Sequence, residues 1–256
     1  MTTGTQEVEL VQERRGPITI LRLNRPDARN ALNVSLIQGI GAAALEAESD
    51  PEIRAIVLTG TGDRAFCAGM DLRAFADGGD FYSEGFERLT EGQLSIPVIG
   101  AANGTAIGGG LELLLGCDVI VSSTQAKFGL PECKRGMFPG GGGTNIGTRI
   151  PLGVALEMTL TGDFITAERA YDIGLVNALA APDAVLETAI GYAERIAANA
   201  PLSLAACKDL VRLAVSNSES VPERLGQWRT TVFSSSDAKE GAMAFIEKRS
   251  PNWQGR

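Results

Sequence analysis

Four short, almost uninterrupted apolar runs constrain this 256-residue chain more than anything else in it. They are IRAIVLTG (53–60), IPVIGAANG (96–104), CDVIVSS (117–123) and GLVNALA (174–180). A strand with one wet face alternates apolar and polar residues, whereas a run that is apolar throughout belongs in a sheet covered on both sides. Such sheets are mostly parallel, and parallel neighbours need crossover connections, usually helical. The text between the runs agrees. Val34 to Glu48 carries Leu36, Ile37, Ile40, Ala44 and Leu45 at helical spacing, with Ser35 available as a cap and Ser49-Asp50-Pro51 as a stop. Upstream, Val8, Leu10, Ile18, Ile20, Leu21 and Leu23 flank Gly16-Pro17 and predict a strand pair.

Past residue 181 the strand runs cease, and residues 182–198, 201–216, 222–233 and 237–249 all read as helices. The expected organisation is an α/β unit over residues 1–181 and an all-helical unit over 182–256, with the boundary near Pro182. A chain of this length buries a sizeable core without a disulfide or metal staple. Several apolar faces of the helical unit have no evident partner within the chain, which points to an oligomer contact.

Composition narrows the chemistry. There is no histidine, which removes Ser-His-Asp and Cys-His sites, His-ligated metals and imidazole bases. Acid–base work falls to Asp, Glu, Lys, Tyr or Cys. The four cysteines, Cys67, Cys117, Cys133 and Cys207, show no C-x-x-C pair, so no metal site is expected and a reducing compartment fits. Cys67 has no Lys or Arg within two positions to lower its pKa and reads as a packing residue. The opening stretch has no apolar leader and no run is long enough to span a bilayer, so the expected location is cytoplasmic. A net charge of −8 argues against nucleic acid and anionic membrane as partners.

Three glycine-rich stretches are candidate sites: AFCAGMDL (65–72), NGTAIGGGLEL (103–113) and GMFPGGGGTN (136–145). Glycine turns that open helices present free N–H groups to a phosphate or an oxyanion, and equally serve as tight turns. Neither a Walker-type phosphate loop nor a dinucleotide fingerprint in strand–helix–strand context is present. Two carboxylates adjoin these stretches. Glu112, set among Leu111, Leu113, Leu114 and Leu115, is either exposed by the helix phase or a buried acid with a raised pKa. Glu132, after Pro131, is either a solvated loop acid or a working one.

Taken in order, these motifs resemble the crotonase (enoyl-CoA hydratase/isomerase) superfamily over nearly the whole chain. LNRPDARNAL (23–32), AFCAGMDL, NGTAIGGGLEL, KFGLPECKRGMFPGGGGT (127–144), LTGDFITAERAYDIGLVN (160–177) and AFIEKRSPNWQGR (244–256) carry the likeness. The resemblance implies a core of ββα turns wound as a spiral, with a C-terminal helical subdomain that oligomerises. It implies an acyl-CoA thioester substrate, with coenzyme A as part of that substrate and no separate cofactor or metal. It implies oxyanion donors at Ala68 and Gly109, and catalytic carboxyls at Glu112 and Glu132. Hydratases of this family carry glutamate at both positions, 20 residues apart as here. Water addition to a 2-enoyl-CoA is therefore the expected reaction, with carnitinyl-CoA dehydration or double-bond isomerisation as alternatives. The FCAGMDL loop and the terminal W-x-G-R are also similar to the carnitinyl-CoA dehydratase branch.

The resemblance further implies substrate contacts from Arg29, Ala31, Gly69, Met70, Asp71, Leu72, Gly108 and Pro131. Lys248 would reach a CoA on a neighbouring subunit of a homo-trimer or a hexamer built as a dimer of trimers. Locally, residues 14–30 hold five arginines against one acid, which offsets the acidic surface where CoA phosphates would lie. Among these Arg14 and Arg15 read as solvated, and Arg73 is a second CoA candidate. Phe75, Phe81 and Phe86, in the variable stretch 75–92, are expected to cover the core rather than line an acyl tunnel. An inactive CoA- or RNA-binding protein on this fold would need a lost glutamate or a basic face, and neither is present; a nucleotide-binding α/β protein is the remaining alternative.

Overall fold

A computed structural model describes residues 8–256; the first seven residues, and with them the start of the stretch read as lacking a leader, lie outside the described residues. The elements run β1 (Leu10–Arg15), β2 (Ile18–Leu23), α1 (Val34–Ser49), β3 (Ala55–Gly60), β4 (Ala65–Cys67), α2 (Leu72–Ala76), α3 (Glu84–Thr90), β5 (Val98–Ala102), β6 (Thr105–Ile107) and α4 (Gly109–Gly116). They continue β7 (Val119–Ser123), β8 (Lys127–Gly129), α5 (Ile146–Arg149), α6 (Leu152–Thr161), β9 (Ile165–Thr166), α7 (Ala167–Asp172) and β10 (Ala178–Ala180). Four helices close the chain: α8 (Val185–Ala197), α9 (Pro201–Ser216), α10 (Val221–Phe233) and α11 (Ser236–Glu247).

The strands form two sheets. The larger has the order β1-β2-β3-β5-β7-β10, with β1 antiparallel to β2 and every other neighbour parallel. The smaller has the order β4-β6-β8-β9, with β9 antiparallel to β8. The pairs β3/β4, β5/β6 and β7/β8 each give one strand to each sheet before the chain turns into a helical segment. The backbone thus advances as a spiral of strand–strand–helix turns, as expected.

The apolar runs are explained by a two-sided burial that alternates along each strand. In β3, Ile56 and Leu58 enter the inner core, while Ala55 and Val57 enter an outer cluster with Ile18, Ile20, Ile99 and Val121. That outer face is covered by Val185, Ala189, Ile190 and Ala193 of α8, a single helical stripe. The inner face is closed by α1 through Leu36, Ile37, Ile40 and Ala44.

Three expectations need correction. The cap of α1 is Asn33, whose Oδ1 accepts the Leu36 N–H at 2.9 Å; Ser35 already lies inside the helix. The run 174–180 yields a strand only at Ala178–Ala180, because the Asn177 side chain takes over part of the pairing by accepting the Ile120 N–H at 2.8 Å. Phe75 is half exposed rather than core, while Phe81 and Phe86 pack against the inner core.

Asp118 fastens α9 to the sheets. Its carboxylate accepts the Val98 N–H, Lys208 Nζ and an Arg212 guanidinium N–H, each at 2.8 Å. Arg149 donates to the Leu115 and Cys117 carbonyls at the C-terminal end of α4. Burial pulls the Lys208 pKa down, against the charge of Asp118, which holds it up. Among the described residues no helix is long and apolar enough to cross a membrane.

Candidate active site

The site is built where the loops that follow β4 and β8 of the smaller sheet meet the start of α4. After β6 the chain turns through Gly108, at φ 55 and ψ −127, and enters the helix at Gly109. That backbone is open to glycine and strained for any residue with a Cβ. The amide of Gly109 is the first of the helix and has no main-chain acceptor among the described residues. Gly110, next in the helix, presses against β4 so closely that a Cβ there would lie 2.2 Å from the Cys67 carbonyl oxygen.

The second glycine-rich stretch faces this helix start. Residues 68–71 are laced to residues 29–32 by three main-chain bonds: Ala68 N–H to Arg29 O at 3.0 Å, Leu32 N–H to Gly69 O at 2.8 Å, and Asp71 N–H to Leu32 O at 2.8 Å. The Ala68 amide is therefore already used, and the expectation that it supplies an oxyanion donor is overturned. Two amides of this strip are left without a main-chain acceptor: that of Gly69, which serves the Cys67 sulfur, and that of Met70, on the opposite edge of the lacing. The Met70 amide adjoins the free Gly109 amide: a Cβ built on Gly109 would lie 3.6 Å from Met70 N, and one built on Gly69 would lie 3.4 Å from Gly109 N.

Both carboxyls open onto this spot. Glu112, in the first turn of α4, is 8% exposed. Its Oε1 accepts two N–H groups from the glycine loop, Gly141 at 2.8 Å and Gly143 at 3.0 Å. Its Oε2 lies 3.7 Å from the Cβ position of Gly109. Burial pushes the Glu112 carboxyl above its ordinary range; the two amides pull it back, and the charge of Glu132 pushes it up again. Glu132 begins the 3-10 turn Glu132–Arg135 and is partly buried, not a solvated loop acid. Its Oε1 lies 3.1 Å from the Cβ position of Gly108, and its Oε2 is buried without a hydrogen-bond donor. Burial raises its pKa against the opposing effects of its own amide and Arg135. A buried carboxyl oxygen without a donor is costly, and such groups concentrate at sites of chemistry.

The remaining expected residues divide. Arg29, Ala31, Gly69, Met70, Asp71 and Leu72 sit together on the two laced strips, beside Gly108, and Pro131 directly precedes Glu132. The Asp71 carboxylate pairs with Arg25 at 3.1 Å and caps α2. Arg25 is held by Glu9, Asp71 and the Ala31 carbonyl, so of the two arginines it is Arg29 whose guanidinium is exposed. Lys248 caps α11 and lies outside the constellation within this chain. Sequence reasoning missed the unpaired Met70 N–H beside Gly109 and the role of Gly141 and Gly143 in holding Glu112; nothing local in the sequence shows which way those peptides face. Cys67 is fully buried and its thiol is pushed up to about 12, as its packing role predicts.

The sequence model of the enoyl-CoA hydratase/isomerase family matches residues 13–256. The chain belongs to this family. An enoyl-CoA hydratase of Mycobacterium tuberculosis is 38% identical over 271 residues, covering 100% of both chains. A carnitinyl-CoA dehydratase of Proteus mirabilis is 38% identical, covering 94% of this chain and 97% of the relative. Among solved structures, an enoyl-CoA hydratase from Mycobacterium tuberculosis superposes with a TM-score of 0.91 at 41% identity, covering 97% of this chain and 99% of the other. The two-sheet spiral with its C-terminal helices is the crotonase fold, as the family assignment requires.

Proposed function

We propose that this member of the enoyl-CoA hydratase/isomerase family is a hydro-lyase, an enoyl-CoA hydratase that adds water across the 2,3 double bond of a 2-enoyl-CoA thioester or removes it. The observation that carries the reading is the meeting of two unpaired main-chain amides, Met70 and Gly109, with two carboxyls of raised pKa on one spot. As the water oxygen bonds to C3, the double-bond electrons move toward the thioester oxygen, giving an enolate-like state. Two N–H donors hold that charge, and losing one such donor costs about 3–4 kcal/mol of barrier. The water gives up one proton and C2 gains one, so the two glutamates need only exchange a proton between them over the cycle. Glu112 polarises the water and Glu132 delivers the proton to C2, with the roles shared because the carboxyls interact. Carboxyls held above their ordinary range are better matched to such exchange near neutral pH.

The substrate is an acyl-CoA, with CoA as its handle rather than a separate cofactor, and the expected setting is cytoplasmic fatty acid metabolism. Arg29 meets a CoA phosphate, and Ala31, Gly69, Met70, Asp71, Leu72, Gly108 and Pro131 line the path of the thioester. Lys248 reaches the CoA of a neighbouring copy in a trimer or a dimer of trimers. Support for assembly comes from the exposed stripe Leu152, Leu156 and Leu160 on α6 and from Val211 and Val215 on α9. Relatives named carnitinyl-CoA dehydratase, 38–40% identical, favour a second reading, dehydration of carnitinyl-CoA by the same carboxyl pair. Glu112→Gln and Glu132→Gln should each lower hydration of crotonyl-CoA by about 100-fold or more. Wild-type turnover in either variant would remove that residue from the mechanism. Product regiochemistry by NMR over crotonyl-CoA, 3-enoyl-CoA and carnitinyl-CoA separates hydration, isomerisation and carnitinyl-CoA dehydration.

A further inference from the structure

The lacing of 68–71 to 29–32 depends on an unusual turn. Arg29 and Asn30 stand in the left-handed region in succession, at φ 52 and φ 55. Non-glycine residues adopt such angles only where the surroundings hold them, with asparagine the most tolerant. Here the hold is visible. Asn30 is fully buried. Its Oδ1 accepts the Arg25 N–H at 3.0 Å, and its Nδ2 donates to the Thr61 and Ala65 carbonyls, both at 3.0 Å. One side chain therefore ties the N-terminal turn to both ends of the β3–β4 connection. The turn it fixes aims the Arg29 carbonyl at the Ala68 amide, and Leu32, two residues on, holds Gly69 and Asp71 through its own N–H and carbonyl. With Ala68 and Asp71 bonded toward the strip, the Met70 N–H is turned to the side of Gly109.

We infer that Asn30 is a positioning residue of the reaction: it sets the direction of the Met70 N–H without touching the substrate. The inference rests on the reading of Met70 and Gly109 as the thioester-oxygen donors. It differs from a general packing role because the Asn30 side chain makes three directional hydrogen bonds to main chain, at Arg25, Thr61 and Ala65, the last of them at the start of the strand that leads into the donor loop.

Two variants test it. Asn30→Asp keeps the shape and replaces the donor that serves Thr61 and Ala65 with an acceptor. Asn30→Gly keeps the backbone angle and deletes the clamp. The readouts are crotonyl-CoA hydration and the infrared carbonyl stretch of 1-13C-butyryl-CoA bound to the full chain, a ligand that reports donor geometry without water addition. The expected result is a fall in kcat of about 10–100-fold. KM should move less than about threefold, since an interaction made mainly in the transition state is weakened. The carbonyl stretch should shift back toward its value in water. Glu132→Gln, by contrast, should lose turnover and keep the carbonyl shift. Retained kcat, or lost kcat with the carbonyl shift intact, overturns the inference. So does unfolding of both variants, which would make Asn30 a general structural residue. A wild-type protein that shifts the carbonyl but hydrates nothing would sink the hydratase reading and leave this inference standing.

Discussion

Gly110→Ala tests whether α4 must lie flush against β4 for the donors to meet. The new Cβ would sit 2.2 Å from the Cys67 carbonyl oxygen, against the 3.4 Å of an ordinary contact, so helix and strand must part by about 1.2 Å. The obstructing atoms are backbone and a buried side chain, not the end of a flexible group. The Gly109 amide moves with the helix and the Met70 amide stays with the strip that follows β4. A misplacement of about 1 Å can cost about 100-fold in rate, or about 2.7 kcal/mol of barrier. Overpacking costs about 1–3 kcal/mol of stability, partly offset by up to about 1 kcal/mol of helix propensity gained. That leaves the chain folded if its stability falls in the usual range of about 5–15 kcal/mol. The assay is kcat for crotonyl-CoA hydration alongside Tm. The control is Gly191→Ala on α8, where a Cβ meets nothing within 4 Å and the expected change is neutral to stabilising with unchanged kcat. A folded Gly110→Ala protein with kcat within about threefold of wild type would refute the geometric argument.

Two further outcomes concern stability. The Glu132 pKa is raised in the folded chain. The stability associated with this carboxyl is therefore complete below its unfolded value, about 4.3, and declines as pH rises through the folded value. Glu132→Gln should match wild type in Tm near pH 4 and exceed it at neutral pH, each kcal/mol reading as about 2–4 °C; a gap that does not widen with pH refutes this. Asp118→Asn should destabilise by about 3 kcal/mol, the lower end for a broken buried pair because Arg212 is partly solvated, and Lys208→Met in the same chain should recover part of it. Denaturant midpoints measure both, and a loss under about 1 kcal/mol would show that α9 does not depend on this carboxylate.

The large sheet was legible because its strands, the three-residue β10 excepted, are long enough to show their pattern. Ile56, Val57 and Leu58 are apolar in succession, and the two faces that bury them follow from that. The small sheet was not, since Thr105–Ile107, Lys127–Gly129 and Ile165–Thr166 are too short to show any period. The two candidate carboxyls were picked out by spacing and motif order, yet the burial of Glu112 could be settled only by the helix phase against Gly141 and Gly143. The donor assignment failed at Ala68 because a peptide's direction is set by its partner strip. That strip, Arg29 to Leu32, is some forty residues away in sequence.

The order of the large sheet has a consequence during synthesis. Each new strand joins at the edge made by its predecessor, so the ribosome delivers the sheet in assembly order, from the first hairpin to the last short strand. Its cover, α8, comes only afterwards, and until then Ile20, Val57, Ile99 and Val121 present one greasy face to water. A nascent chain stalled before residue 185 is thus expected to be sticky and chaperone-dependent, and one released after 197 is expected to be far less so.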